Sequence, residues 1–264
     1  PGSARQRSGA LASSHPTALR CRGARVSGIH QPIAMQLADY QDLAAVEDSM
    51  WYFRALHQRM LLALRPLVGR PAEILDAGCG TGGLIRALQT QDAHWSVSGV
   101  DMSPIACDFA RRRTDAAIQQ ASVESLPYAD RQFDAVTHAD VLYMVENPER
   151  ALGEFARVLR PGGILVINTA AYQWMWSYHD DLIGTRRRFR RHGLADLMRG
   201  HGFEINLSSY AVLLAFPLII ARRKLFVPAD PSSDVKPYPS LIEATLGGLA
   251  SLENSLLRRG IALP

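Results

Sequence analysis

The sequence is poor in cysteine and nearly without lysine. Its 264 residues hold three cysteines, Cys21, Cys79 and Cys107, and only Lys224 and Lys236 as lysines. No pair of cysteines has C-x-x-C spacing, which excludes a zinc ribbon and a disulfide framework and leaves no metal-ligand cluster. Such a chain suits the reducing cytoplasm. No apolar run reaches the ~20 residues of a membrane helix. The longest, 211–220 (AVLLAFPLII), contains Pro217 and is followed by Arg222, Arg223 and Lys224. It reads either as a buried segment with a solvated basic end or as an interfacial patch for peripheral membrane contact. No internal repeat is visible.

What is present is an ordinary globular composition, 47% apolar, with a net charge of +4 supplied almost wholly by arginine. The basic runs at 111–113 (RRR) and 186–191 (RRRFRR) are short and separated. A nucleic-acid surface needs a continuous basic face, so no nucleic acid is expected. An anionic substrate group suits such runs equally well. Residues 1–38, rich in Ser, Gly, Ala and Arg, read as a disordered tail or tag. Apolar residues then recur at three- and four-residue spacing from Leu43 through Val46, Met50, Phe53, Leu56 and Met60 to Leu64. That spacing predicts one amphipathic helix within an N-terminal cap, 39–70, ended by Pro66 and Gly69. Trp51, Tyr52 and Phe53 are either core or a lid over a ligand.

Strand and helix patterns alternate beyond the cap. Strands are predicted at 73–76, 95–100, 116–120, 133–138 and 164–168. The last is apolar throughout and is expected to be buried on both faces. Helices are predicted after the glycines at 78–83, from Ser103 (N-cap) and Pro104 to Arg113, and from Asn147 to a stop at Pro161-Gly162-Gly163. The alternation implies an α/β fold with a doubly wound, mostly parallel sheet. The domain plan is a core at 71–210 with an acceptor segment at 169–202, and a helical extension at 211–264.

The first strand runs into Gly78-Cys79-Gly80-Thr81-Gly82-Gly83, a G-x-G-x-x-G turn. Such a turn lets an adenosine-containing ligand approach the backbone. Asp101, at the end of the second strand, can accept hydrogen bonds from both ribose hydroxyls. These features suit NAD and S-adenosylmethionine (SAM) alike. Asp76 discriminates. A carboxylate at the turn repels a pyrophosphate, whose place is the helix N-terminus. It attracts the sulfonium and ammonium of SAM.

The segments ILDAGCGTG, VSGVDMS, SVESLPYADRQFDAV and NPERALGEFARVLRPGGILVI resemble successive motifs of class I SAM-dependent methyltransferases. The flanking MWYFRALHQRMLLAL and YHDDLIGTRRRFRRHGLADLMRGHGFEI are similar to bacterial members associated with glycosyltransferase and cell-envelope genes. The resemblance implies a seven-stranded sheet with a late antiparallel strand. Relatives continue past a Leu-Pro like Leu263-Pro264, so that strand is expected to be missing or supplied by another segment. The resemblance places Asp76, Gly78, Cys79, Gly80 and Gly82 at the methionine part of SAM, Asp101 at the ribose, and Met102 and Val123 at the adenine. Ser122 stands where many relatives have an Asp. His138 is expected near the amino-acid end of SAM or the reaction centre.

The resemblance implies methyl transfer from SAM, leaving S-adenosylhomocysteine. Oxygen of a small-molecule acceptor, a sugar, lipid-linked or natural-product intermediate, is the expected nucleophile, with nitrogen and carbon open, on a monomer or homodimer. Such chemistry needs an in-line nucleophile, and a base if the acceptor is a hydroxyl. His179, His138 and Tyr143 are the candidate catalytic residues. Trp51, Tyr52, Trp174, Trp176, Arg187 and Arg188 are the candidate acceptor contacts. Trp174 and Trp176 share a face if their segment is extended. A non-catalytic SAM-binding scaffold and an NAD-dependent oxidoreductase are the rival readings.

Overall fold

The computed structural model describes residues 35–225, 235 and 238–263. Residues 1–34 of the expected tail lie outside this range. The predicted single cap helix is instead two, α1 (Leu37–Val46) and α2 (Trp51–Ala63). The break at 47–50 has a tertiary cause. Glu47 is buried and bonded to Thr81 and Arg113, and Asp48 bonds Arg86 and Arg113. These pairs turn the chain down onto the glycine turn where the apolar spacing alone would continue the helix.

The core alternates as predicted: β1 (Ala72–Ala77), α3 (Gly83–Gln91), β2 (Trp95–Asp101), α4 (Pro104–Arg113), β3 (Ala117–Gln120), β4 (Phe133–Ala139), α5 (Pro148–Val158) and β5 (Leu159–Asn168). Local chemistry sets the helix starts. The Ser103 hydroxyl accepts from the Ala106 N–H (3.3 Å), and the Asn147 side chain accepts from the Arg150 N–H (2.9 Å). Each caps one of the unpaired donors at a helix N-terminus.

The sheet order is β3-β2-β1-β4-β5, and every pairing is parallel. The chain builds outward from β1 to β3, then returns to the other side of β1 with β4. This reversal makes a crevice at the carboxyl ends of β1 and β4, where ligands bind in open α/β sheets. β1 and β4 are central and apolar. Ile74, Leu75, Ala77, Ala135 and Val136 are fully buried.

β5 departs from expectation twice. It is the sheet edge, and residues 163–168 are only half-buried, although both faces are packed, Ile164 and Val166 on one core cluster and Leu165 and Ile167 on the other. Pro161-Gly162-Gly163 does not stop α5, which ends at Val158. These residues form an irregularity inside β5, where pairing shifts from Phe133–Leu159 to Ala135–Ile164. A Cβ on Gly163 would lie 2.9 Å from the Arg160 carbonyl and 3.1 Å from that of Asp134, so only glycine fits the kink. Among the described residues the sheet has five strands, and none is antiparallel.

After β5 come α6 (Tyr178–Leu182), α7 (Arg191–Gly200), α8 (Phe216–Ile220) and α9 (Ser240–Arg258). α9 packs along α2. Buried Asn254 donates to the Ala55 carbonyl (3.1 Å) and the Gln58 side chain (3.1 Å).

Candidate active site

A cavity of about 2870 Å³ runs along the length of β5 and over the carboxyl ends of the central strands. One wall is the turn after β1. Gly78, Gly80 and Gly82 all have positive φ (83°, 52° and 89°), which accounts for glycine at each. Their surroundings differ. A Cβ on Gly80 would meet nothing within 4 Å, so space lies in front of it. A Cβ on Gly78 would strike Val141 at 2.6 Å. Gly82 is packed on Ala110 and Thr114, with a Cβ at 3.1–3.3 Å from them, and does not line the cavity. It is therefore a packing position against α4, not a ligand contact.

Four of the turn's own donors are consumed internally. The N–H groups of Gly78 and Cys79 both bond the Val100 carbonyl (2.7 and 2.9 Å). That of Gly80 bonds Asp101 (3.0 Å), and that of Gly82 bonds the Cys79 carbonyl (3.0 Å). A pyrophosphate would need such donors pointing at it. What faces the cavity is carboxylate: Asp76 and Asp101 both line it. Neither has a cation within salt-bridge distance among the described residues. Burial raises the Asp76 carboxyl to about 7; a hydrogen bond from Thr137 (2.8 Å) opposes this, and the Asp101 charge adds to it. Asp101 is also raised by burial, against hydrogen bonds from Ser103, Gly80 and Met102. A wall with buried Asp76, half-buried Asp101 and an open place at Gly80 fits a cationic adenosine ligand such as SAM. Cys79, Met102, Ser122 and Val123 complete it. Ser122 Oγ already accepts from the Glu124 N–H (3.1 Å).

The opposite wall is made of side chains from several elements. Tyr52 of α2 donates its hydroxyl to Asp140 Oδ2 (2.6 Å), and Asn168 at the end of β5 donates to Asp140 Oδ1 (2.7 Å). Asp140 follows β4 directly and has φ 56°, a left-handed conformation that Asp tolerates better than most residues. Burial raises its carboxyl despite both bonds and nearby Arg59. Val141, the next residue, is the one packed on Gly78, so Asp140 sits beside the glycine turn. Nothing in the sequence singled out Asp140, since a lone Asp in a loop carries no motif. Trp51, Tyr52, Tyr143, His179 and Arg188 also line the cavity. The Tyr143 hydroxyl is pushed up by burial and then by the Asp140 and Asp180 charges.

Four expected site residues are elsewhere. His138 lies inside β4, fully buried, on the face toward α5. Its Nδ1 is 2.6 Å from the Ala77 carbonyl and its ring is 4.9 Å from that of Phe155. Burial lowers it to about 4, so it is a neutral core residue and not a reaction-centre group. Trp174 and Trp176 do not line the cavity, because Gln173–Met175 forms a 3₁₀ turn rather than a strand. That turn puts Met175 inward and leaves Trp174 half exposed. Arg187 does not line the cavity and donates to the Glu146 carbonyl (2.8 Å). Arg188 does line the cavity, but its guanidinium is committed to buried Asp180 (2.7 and 3.0 Å) and the Ala171 carbonyl (2.9 Å). It holds the segment over the pocket instead of presenting a charge to an anion.

Residues 75–167 match the model of the methyltransferase domain family. The chain therefore carries a methyltransferase domain of the class I, SAM-dependent type. Among proteins similar to it, the malonyl-[acyl-carrier protein] O-methyltransferase of Enterobacter lignolyticus is 32% identical over 160 residues, covering 58% of this chain and 63% of that protein. The demethylmenaquinone methyltransferase of Thermus thermophilus is 39% identical over 102 residues, covering 37% and 46%. The chain thus spans less than two thirds of the length of these curated relatives. A solved SAM-dependent methyltransferase of Thermotoga maritima superposes with a TM-score of 0.50 at 25% identity, covering 64% of this chain and 78% of that one.

Proposed function

We propose that the chain transfers the methyl group of SAM to an oxygen of a small-molecule acceptor. The observation that carries this reading is the glycine turn, where the N–H groups of Gly78, Cys79, Gly80 and Gly82 are already bonded and the Asp76 and Asp101 carboxylates line the cavity. That arrangement repels a pyrophosphate and receives a cation. Asp76 takes the ammonium of SAM, Asp101 the ribose hydroxyls, and Met102 and Val123 the adenine.

When bound, SAM supplies a methyl group already activated by a sulfonium. The residues of the chain bind, orient and exclude water. Asp140, held by Tyr52 and Asn168, accepts the proton of an acceptor hydroxyl. Tyr143 and His179 shape the acceptor's place on the same wall, and Trp51 packs behind Tyr52 (ring centres 5.8 Å). The O-methyltransferase among the relatives agrees with an oxygen nucleophile.

Calorimetric titration with SAM and, separately, NADH tests the reading. SAM is expected to bind and NADH not. NADH binding without SAM binding would overturn it. His179→Ala is expected to lower turnover while leaving SAM affinity unchanged, and an equal loss of both would remove His179 from the acceptor wall.

A further inference from the structure

One cation on the cavity wall has no acceptor on its bidentate edge. α2 carries Tyr52, Leu56 and Arg59 at four- and three-residue spacing, which puts them on one face of the helix. All three line the cavity. Half-buried Arg59 donates from Nη1 to Asn254 Oδ1 at a long 3.4 Å. Its Nε and Nη2 are buried and have no hydrogen-bond partner among the described residues. The carboxylates whose charges reach it through space, Asp140 and Glu253, are bonded elsewhere. Asp140 accepts from Tyr52 and Asn168, and Glu253 accepts from the N–H groups of Val212 and Leu214 (2.6 Å each).

Nε and Nη2 form the flat side of a guanidinium, and their parallel N–H groups match the two oxygens of a carboxylate. Arg188 shows the match within this molecule, where the same two atoms hold Asp180 at 2.7 and 3.0 Å. On Arg59 that side meets no side chain or carbonyl, and a desolvated cation with unpaired donors is costly to keep. The hydroxyls of Thr169 and Thr185 share this condition: both are buried without a partner, on residues that line the cavity. Unpaired buried polar groups on a cavity wall mark where the polar atoms of a ligand go. We infer that Arg59 binds a carboxylate of the acceptor, bidentate through Nε and Nη2, beside the hydroxyl that meets Asp140. The acceptor is then a hydroxy acid. The anion site stands on Arg59 alone. That its ligand is the molecule methylated rests on the methyltransferase reading.

The test is calorimetric titration of the purified chain, without SAM, with 4-hydroxybenzoate and with its neutral counterpart 4-hydroxybenzamide. The acid is expected to bind more tightly than the amide by about tenfold or more. Arg59→Gln is expected to bring the two within about threefold, and Arg59→Lys, which keeps the charge and loses the fork, to fall between. Far-UV circular dichroism and the urea midpoint of each unliganded variant establish that the fold is kept. No binding of the acid, or equal binding of acid and amide, by the unaltered chain overturns the inference without any variant. Full discrimination kept by Arg59→Gln places the anion elsewhere and overturns it too. Inorganic phosphate that binds as tightly as the acid, and is lost in Arg59→Gln, overturns the assignment to a carboxylate. The assay contains no SAM, so its failure is separate from any failure of SAM binding.

Discussion

The wall beneath β1 and β2 keeps its shape through the main chain. Four turn N–H groups are tied to Val100, Asp101 and Cys79, and glycines occupy the left-handed positions. The opposite wall keeps its shape through side chains drawn from far apart in sequence: Tyr52 to Asp140, Asn168 to Asp140, Arg188 to Asp180. The first wall is a local motif that any acceptor chemistry can reuse. The second is assembled from residues far apart in the chain, and it is the wall that the proposed function gives to the acceptor. Sites are grafted onto a common fold in this way.

The comparison is sharpened most by removing the proposed proton acceptor of the second wall. Asp140→Asn is expected to lower turnover of a hydroxyl acceptor by about 10²–10⁴-fold, the usual contribution of a positioned base. SAM affinity by calorimetry should not change. A parallel loss of SAM binding would merge the two walls and remove Asp140 from the acceptor side.

The next effect concerns the backbone wall. Gly78→Ala forces a side chain into a left-handed residue and against Val141, at an expected cost of about 2–4 kcal/mol in urea unfolding. Gly78→Ala combined with Val141→Ala removes the clash and should recover about half. No recovery would mean that the backbone angle alone sets the cost.

Asp76 opposes stability to binding. Its folded carboxyl is raised from 3.8 to about 7 by burial. The ionised form therefore disfavours the folded state, a penalty absent below the unfolded value, growing as pH rises and complete above about 7. Asp76→Asn is expected to stabilise the protein by about 2–4 kcal/mol at pH 8 and by little at pH 4, read from urea midpoints. A bound cation favours the ionised form. SAM affinity in the unaltered protein should therefore fall by up to about tenfold per pH unit below about 7. A flat affinity across that range would take Asp76 out of cation binding.

Asp101→Ala is expected to weaken SAM binding by about 1–3 kcal/mol, measured by calorimetry, and an unchanged Kd would remove it from the ribose site. The smallest effect is at Arg187, which does not line the cavity and whose guanidinium is spent on the Glu146 carbonyl. Arg187→Gln should leave SAM binding and turnover within about 0.5 kcal/mol of the starting protein. A large loss would show that this arginine reaches the acceptor after all.

Much of the first wall was legible because its signals are local. A strand pattern, glycines at fixed offsets and an acid two residues ahead lie within one short stretch, 74–83. Even there Gly82 misled, since a glycine needed for packing on α4 looks the same in sequence as one needed for a ligand. The second wall was read less well. Tyr52, Tyr143 and His179 do line the cavity, but Trp174, Trp176 and Arg187 do not, because a short 3₁₀ turn and a backbone contact leave no periodic trace. His138 has the chemistry of a catalytic group, and only strand pleat decides which face it takes.

By itself the sequence determined the alternation of strands and helices, the parallel sheet, the glycine turn and the acid that favours a cation over a pyrophosphate. These depend on residues near one another in the chain, where steric and hydrogen-bonding preferences act directly. Only the tertiary structure decided that the cap breaks at Glu47, that Asp140 is held between α2 and β5, that Arg188 is spent on Asp180, and that His138 is core. Each of those outcomes depends on partners dozens of residues away, and burial and pairing across such distances exist only once the chain has folded.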